Sequence, residues 1–271
     1  MARAADPLDP VRLAPEVVRI ARRAGAEILR IYRAPGVRAT SKADASPLTE
    51  ADLCAHRAIV EALNLLTPGI AILSEESSGV PFATRRAWSQ YWLVDPLDGT
   101  REFLSRNGEF TVNIALIVGH DPVLGVVGVP ARDTVYWGIA GQGARRAIGS
   151  GAPAQIKPRA RAAAPVRVVG SRSHRGDSLD AFLGKVGPHE LIPVGSALKF
   201  CLVAEGSADI YPRLGPTSEW DTAAAHAVVV AAGGVVIATS GAPLRYNTKA
   251  DLLNPNFLVY ADRSRDWLSL L

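Results

Sequence analysis

The sequence predicts a protein of mixed helix and sheet, α+β in its first half and α/β in its second. Three observations carry this reading. Two amphipathic helical stretches open the chain. Closely spaced apolar strands fill residues 110 to 140, and strands alternate with helices from residue 166 onward. A boundary is expected near residue 160, giving portions 1–160 and 161–271. At 271 residues, with 48% AVILMFWYC and 21% charged residues, the chain has the length and balance for a large core and a water-exposed surface.

Residues 13 to 33 place Leu13, Val17, Ala21, Ala24, Ile28 and Ile31 alternately four and three apart, which is one face of a helix. Arg19, Arg22, Arg23 and Arg30 lie largely off that face, and Pro35-Gly36 closes the helix. In the second helix Thr49 is the N-cap and Asp52, three residues on, completes a capping-box pattern. Ile59, Leu63 and Leu66 form its apolar face, and Pro68-Gly69 ends it.

IAILSEE (70–76) and YWLV (91–94) read as buried strands, and both run into paired acids: Glu75 with Glu76, Asp95 with Asp98. Pro96 and Gly99 are expected to turn the chain after Val94, so that both aspartates emerge together at the strand end. FTVNIALIV (110–118), PVLGVVGVPA (122–131) and TVYWGIA (134–140) predict an antiparallel meander. Residues 149–165 are small, Pro-containing and basic, as in an exposed loop at a domain boundary. Beyond them VRVVG, ELIPVG and ADIYPRL are strands, interleaved with helices in SLDAFLG, ALKFCLVAEG and WDTAAAHAVVVAAGG. VVIA and FLVYA supply further strands, and the alternation implies that part of this sheet is parallel.

Composition excludes several functions. The net charge of +4 is compatible with an anionic metabolite, a nucleic acid or a membrane surface. No basic run is interleaved with aromatics, and at 6% aromatic residues there is no stacking platform for nucleic acid. No apolar run approaches the roughly 20 residues of a membrane helix. The N-terminus shows no signal-peptide core, and Asp6, Asp9 and Glu16 argue against a transit peptide. Cys54 and Cys201 are too few for a disulfide framework or a zinc site. A cytoplasmic protein is therefore expected, with a charge that also suits a peripheral position at the inner membrane.

The chemistry concentrates in DPLDGT (95–100). Asp95, Asp98 and the Leu97 carbonyl between them are hard oxygen donors suited to magnesium. The N–H groups of Gly99 and Thr100 are placed for a phosphate if a helix starts there. Near the C-terminal end Asp221 lies three residues after Ser218, at capping-box spacing. Capping and metal ligation compete for the oxygens of Asp52 and Asp221, and the sequence leaves both roles open. A protein that only binds polyanions gains nothing from such acids, which favours an enzyme.

SPLTEAD, LSEES, DPLDGT and WDTAA, in that order, resemble the inositol monophosphatase superfamily of metal-dependent, lithium-sensitive phosphatases. REFLSRNGEFTVNIALI, VVGSRSH, GSALKFCLVAEG and YPRLGPTSEWD are most similar to its bacterial 3'(2'),5'-bisphosphate nucleotidases. The resemblance implies a layered α-β sandwich, an antiparallel-sheet portion packed on an α/β portion with the site between them. It implies two or three magnesium ions, one on Glu75, Asp95 and the Leu97 carbonyl, another on Asp95, Asp98 and Asp221. Asp52, bonded to Thr100, would orient the attacking water and take its proton.

Gly99, Thr100, Ser196, Lys199, Arg213 and His174 are the expected substrate contacts, with Lys199 and Arg213 reserved for a second phosphate. The implied reaction converts adenosine 3',5'-bisphosphate to adenosine 5'-monophosphate, within sulfur assimilation. Inositol-1-phosphate or a sugar bisphosphate is the alternative substrate. A small-molecule nucleotide is thus the expected partner, and a homodimer is compatible with the family. Two residues depart from the family pattern: Ala197 stands where a serine is expected, and Ala225 where a glycine is frequent.

Overall fold

The computed structural model describes residues 8–35, 39–41, 47–172 and 176–271. Gly36 and His174 lie outside them. The chain opens with α1 (Pro10–Tyr32), capped by Asp9, whose side chain accepts from the Val11 N–H. A short hairpin, β1 (Ala39–Ser41) and β2 (Pro47–Thr49), leads into α2 (Glu50–Leu66). Then come β3 (Ala71–Ser74), α3 (Phe82–Arg85), β4 (Gln90–Asp98) and α4 (Thr100–Leu104). The meander comprises β5 (Thr111–Val118), β6 (Asp121–Val129), β7 (Thr134–Ile139), β8 (Gly143–Ile148) and β9 (Ala154–Ile156). The second half runs β10 (Val166–Ser171), α5 (Asp177–Val186), β11 (His189–Val194), α6 (Leu198–Ala204) and β12 (Ile210–Arg213). It ends with α7 (Glu219–Ala232), β13 (Val235–Ala238) and β14 (Phe257–Tyr260).

Strands β3 to β9 form one sheet in sequence order. The second sheet has the order β11-β10-β12-β14-β13, parallel where β10 meets β11 and β12, antiparallel elsewhere. Helices fill the spaces on both sides of each sheet, giving five layers. α1 and α2 cover one face of the large sheet, Val17, Ala24 and Ile59 packing with Trp92, Ile114 and Val126. α6 and α7 lie between the sheets in a core drawn from both halves of the chain. α5 closes the outside, its Leu179, Phe182 and Leu183 on Val168, Ile210 and Trp267.

The central layer depends on small residues. Gly125 and Gly138 are register partners on β6 and β7. A Cβ on Gly125 would lie 2.0 Å from the Ala224 carbonyl oxygen, and one on Gly138 would lie 2.6 Å from Val228 Cα. The backbone of α7 therefore rests directly on the sheet, and its AAAHA stretch is small enough to allow it. Ala225, fully buried there, costs the packing nothing.

Four expectations need correction. β3 stops at Ser74, and Glu75 begins a 3-10 turn over Glu75–Ser77, so this acid leaves the strand. β3 runs parallel to β4, making the large sheet mixed at its edge; the segment holding α3 is the crossover this requires. β4 does not end at Val94 but continues through Pro96 to Asp98. The expected 149–165 loop contains β9, paired with β8, a strand the sequence pattern also hides; basic, Pro-flanked edge strands carry little apolar alternation.

Candidate active site

β4 bulges at its acidic end. Asp95 pairs with Asn113 and Asp98 with Thr111, so three steps on β4 oppose two on β5. Up to that point alternation sends Tyr91 and Leu93 to the inner core, and Trp92 and Val94 to the outer one. Unbroken, it would put Asp95 and Asp98 on opposite faces. The extra residue returns the Leu97 side chain to the outer core and keeps both aspartates on the inner face. Pro96, which has no N–H to offer a ladder, is tolerated at such a bulge.

Asp98 accepts from the Ala197 N–H at 2.6 Å and from Thr111 Oγ1 and Asn113 Nδ2, each at 3.4 Å. The expected serine at 197 is thus replaced without loss of this contact, which belongs to the backbone. Burial, with the charges of Glu75, Asp98 and Asp221 after it, raises the Asp95 carboxyl well above its usual range, and Glu75 shares a hydrogen bond with it. Burial and then Asp221 push Asp98 up to about 7 against the pull of Lys199. Four acids from three separate elements therefore act on one another.

Asp52 and Asp221 each cap a helix through one carboxylate oxygen. Asp52 Oδ2 accepts from Thr49 N–H at 2.8 Å and Thr49 Oγ1 at 2.6 Å, the capping box of α2. Its Oδ1 accepts from the Thr100 hydroxyl at 3.3 Å. Asp221 Oδ2 accepts from Thr217 Oγ1 at 2.6 Å and Ser218 N–H at 2.8 Å, the capping box of α7. Its Oδ1 takes no part in that cap. In both residues the cap uses Oδ2, and in Asp52 the other oxygen meets Thr100.

Gly99, at φ 89°, turns the chain from β4 into α4. It lies with Asp98, Thr100, Ser196, Arg213 and Asp221 around a cleft of about 250 Å³, which Lys199 also lines. Lys199, expected to meet a second phosphate, is buried in the wall of the cleft. Its Nζ donates to the Ser196 carbonyl at 2.7 Å and lies 5.4 Å from the Tyr211 ring centroid. Burial lowers it to about 8, although Asp98 works the other way. Arg213 stands where the cleft meets a second hollow of about 460 Å³, bordered by Leu179, Leu214 and Pro216. Glu102, Ser171 and Tyr211 also line the cleft, and nothing in the sequence singles them out. Glu102 sits in a short apolar-flanked helix, where no local signal distinguishes it from a surface acid.

Among the described residues no three acidic, histidine or cysteine side chains close into a ready-made metal cage. The donor set still fits hard divalent cations: carboxylates and a backbone carbonyl, without sulfur or imidazole. Cys54 and Cys201 are free thiols.

The model of the inositol monophosphatase family matches residues 9–266. The chain belongs to this family. Among its relatives, the 3'(2'),5'-bisphosphate nucleotidase CysQ of Salmonella typhimurium is 48% identical over 245 residues, 90% of this chain and 98% of the relative. CysQ of Escherichia coli is 47% identical over the same shares. In three dimensions CysQ from Bacteroides thetaiotaomicron superposes with a TM-score of 0.81 at 44% identity, covering 94% of this chain and 98% of the other. The family member suhB of Bartonella henselae has the same fold at 25% identity and a TM-score of 0.77, covering 96% of both chains. The layered α-β sandwich is thus the family fold. No helix among the described residues is long and apolar enough to cross a membrane.

Proposed function

We infer that the chain is a metal-dependent phosphatase that takes the 3'-phosphate from adenosine 3',5'-bisphosphate, leaving adenosine 5'-monophosphate and inorganic phosphate. The observation that carries this reading is the convergence of Glu75, Asp95, Asp98 and Asp221 beside the Asp52–Thr100 pair. Its relatives are named for the same nucleotidase activity, which disfavours inositol or sugar phosphates.

Glu75, Asp95 and the Leu97 carbonyl would hold one magnesium, and Asp95, Asp98 and Asp221 a second, with Asp95 between them. When bound, such ions acidify a water and neutralise charge on the phosphoryl oxygens. The chain supplies the rest. Asp52 Oδ1, aligned by the Thr100 hydroxyl, orients the attacking water and accepts its proton. The N–H groups of Gly99 and Thr100 receive phosphate oxygens, and the Lys199 ammonium beside Asp98 supports the reacting phosphate from within the wall. Arg213 faces the second phosphate and the hollow beyond it suits the nucleoside, while Ser196, beside Gly99, stands at the reacting phosphate. The water oxygen bonds to phosphorus as the ester bond breaks, the ribose 3'-oxygen leaves and takes a proton from solvent water to become a hydroxyl, and Asp52 returns its proton to solvent.

Most of the acids lie in 1–160, while 161–271 brings Asp221 and the cations, so the reaction needs both portions. A role in sulfur assimilation suits this substrate. Lithium in the tens of millimolar, an order-of-magnitude choice for a small cation competing at carboxylates, should inhibit. The deciding experiment is phosphate release with magnesium from adenosine 3',5'-bisphosphate, inositol-1-phosphate and fructose-1,6-bisphosphate. Preference for either of the last two would sink the nucleotide reading.

A further inference from the structure

We propose that Glu109, paired with Arg172, is a positioning residue that sets the segment Gly195-Ser196-Ala197 against Asp98, and so fixes how Asp98 and Lys199 face the reacting phosphate. The inference rests on the metal-dependent reading above.

Glu109 precedes β5 in the first half of the chain, and its side chain is almost wholly buried. Its Oε2 accepts from the Gly195 N–H at 2.9 Å and from Arg172 Nε at 3.0 Å, while Oε1 accepts from Arg172 Nη2 at 2.9 Å. This is a two-pronged guanidinium–carboxylate pair, the form that fixes direction as well as distance. Arg172 is itself tied to the end of β11, donating to the Pro193 carbonyl at 2.7 Å. Arg132 adds a third cationic contact at 3.6 Å.

The Glu109 main chain acts on the same place. A Cβ on Gly195 would lie 3.0 Å from the Glu109 carbonyl oxygen and 2.4 Å from Glu102 Cγ. A Cβ on Gly99 would lie 3.4 Å from that same oxygen and 3.3 Å from Glu102 Oε2. Two glycine turns, one from each half of the chain, thus close on each other across Glu102 and Glu109.

The backbone just past Gly195 requires such a clamp. Ser196 holds φ at 50°, a left-handed conformation that a non-glycine residue keeps only where its surroundings hold it. That conformation aims two main-chain groups at the site. The Ser196 carbonyl accepts from Lys199 Nζ at 2.7 Å, and the Ala197 N–H donates to Asp98 Oδ2 at 2.6 Å. Glu109 is not among the residues that line the cleft, so it acts on the chemistry only through this segment.

The test compares the wild type with Arg172→Ala, Glu109→Ala and Glu109→Gln by calorimetric titration with magnesium, steady-state kinetics on the bisphosphate, and thermal melting. Arg172→Ala and Glu109→Ala are expected to weaken magnesium binding and lower kcat on the order of tenfold each, as loss of a ligand's support does, with a smaller change in KM. Glu109→Gln retains an acceptor for the Gly195 N–H and should recover most of both. Should Glu109→Ala not fold, Arg172→Ala decides, since its side chain is 44% exposed and the change is tolerable. Wild-type magnesium affinity and kcat in folded Arg172→Ala, or a loss confined to melting temperature, overturn the inference. A wild type that binds no magnesium overturns the metal reading and this inference together. A wild type that binds magnesium but spares the bisphosphate overturns only the substrate reading, and the titrations still decide this one.

Discussion

Asp95 and Asp98 share the inner face of β4 although they are three positions apart, because one extra residue on β4 opposes the Asn113–Thr111 step of β5. The bulge turns a sequence spacing that should divide two carboxylates into one that pairs them. That pairing is the basis of the metal reading.

Asp95→Asn and Asp98→Asn should each lower magnesium-dependent activity by at least about a hundredfold, the upper end of what losing a mere supporting residue costs. The metal-free proteins should melt no lower than the wild type, since an amide carries no ionisation for burial and the neighbouring acids to oppose. Near-normal turnover in both variants would remove the metal site from this cleft.

Asp221→Asn separates the two tasks of that residue. An asparagine oxygen can still accept from Thr217 and Ser218, so the cap should lose no more than about 1 kcal/mol. Activity should fall far more than stability does. A variant that melts lower yet turns over normally would leave Asp221 as a helix cap alone.

The metal-free protein should lose stability as pH rises toward neutrality. Burial, then Asp221, raises Asp98 to about 7, and burial raises Glu219 to about 7. Between about pH 4 and these values the folded chain keeps protons that the unfolded chain has released. Stability from the protonated acids is complete below that window and is lost as pH passes through it. Melting in EDTA should therefore decline from about pH 5 to about pH 7.5, and magnesium should stabilise more at the upper end. A metal-free melting temperature that climbs across this interval would contradict the buried acid cluster.

Arg213→Ala and Lys199→Ala should fail differently. Arg213 stands at the opening to the second hollow, so its loss should raise KM for the bisphosphate several-fold and affect a monophosphate less. Lys199 is inside the wall beside Asp98, so its loss should lower kcat on both substrates. Identical profiles for the two variants would assign them one role and remove the distinction between reacting and second phosphate.

Much of the fold is legible in the sequence because its elements carry local signals. The apolar face of α1, the Thr49–Asp52 and Ser218–Asp221 caps, the meander and the later strand-helix alternation are all written in short-range periodicity. So are the acids themselves, through the DPLDGT, LSEES and WDTAA stretches and their likeness to a family. Tertiary structure decided which atoms meet. Only the register of β4 on β5 brings Asp98 round to Asp95, and only the fit of α7 against Gly125 and Gly138 brings Asp221 to them. Likewise the burial of Lys199 beside Asp98 and the meeting of Glu109 with Gly195 join residues far apart in the chain. A periodic pattern states which face of an element is apolar, but contact between elements depends on how close two backbones can approach, and that is a property of the packed molecule.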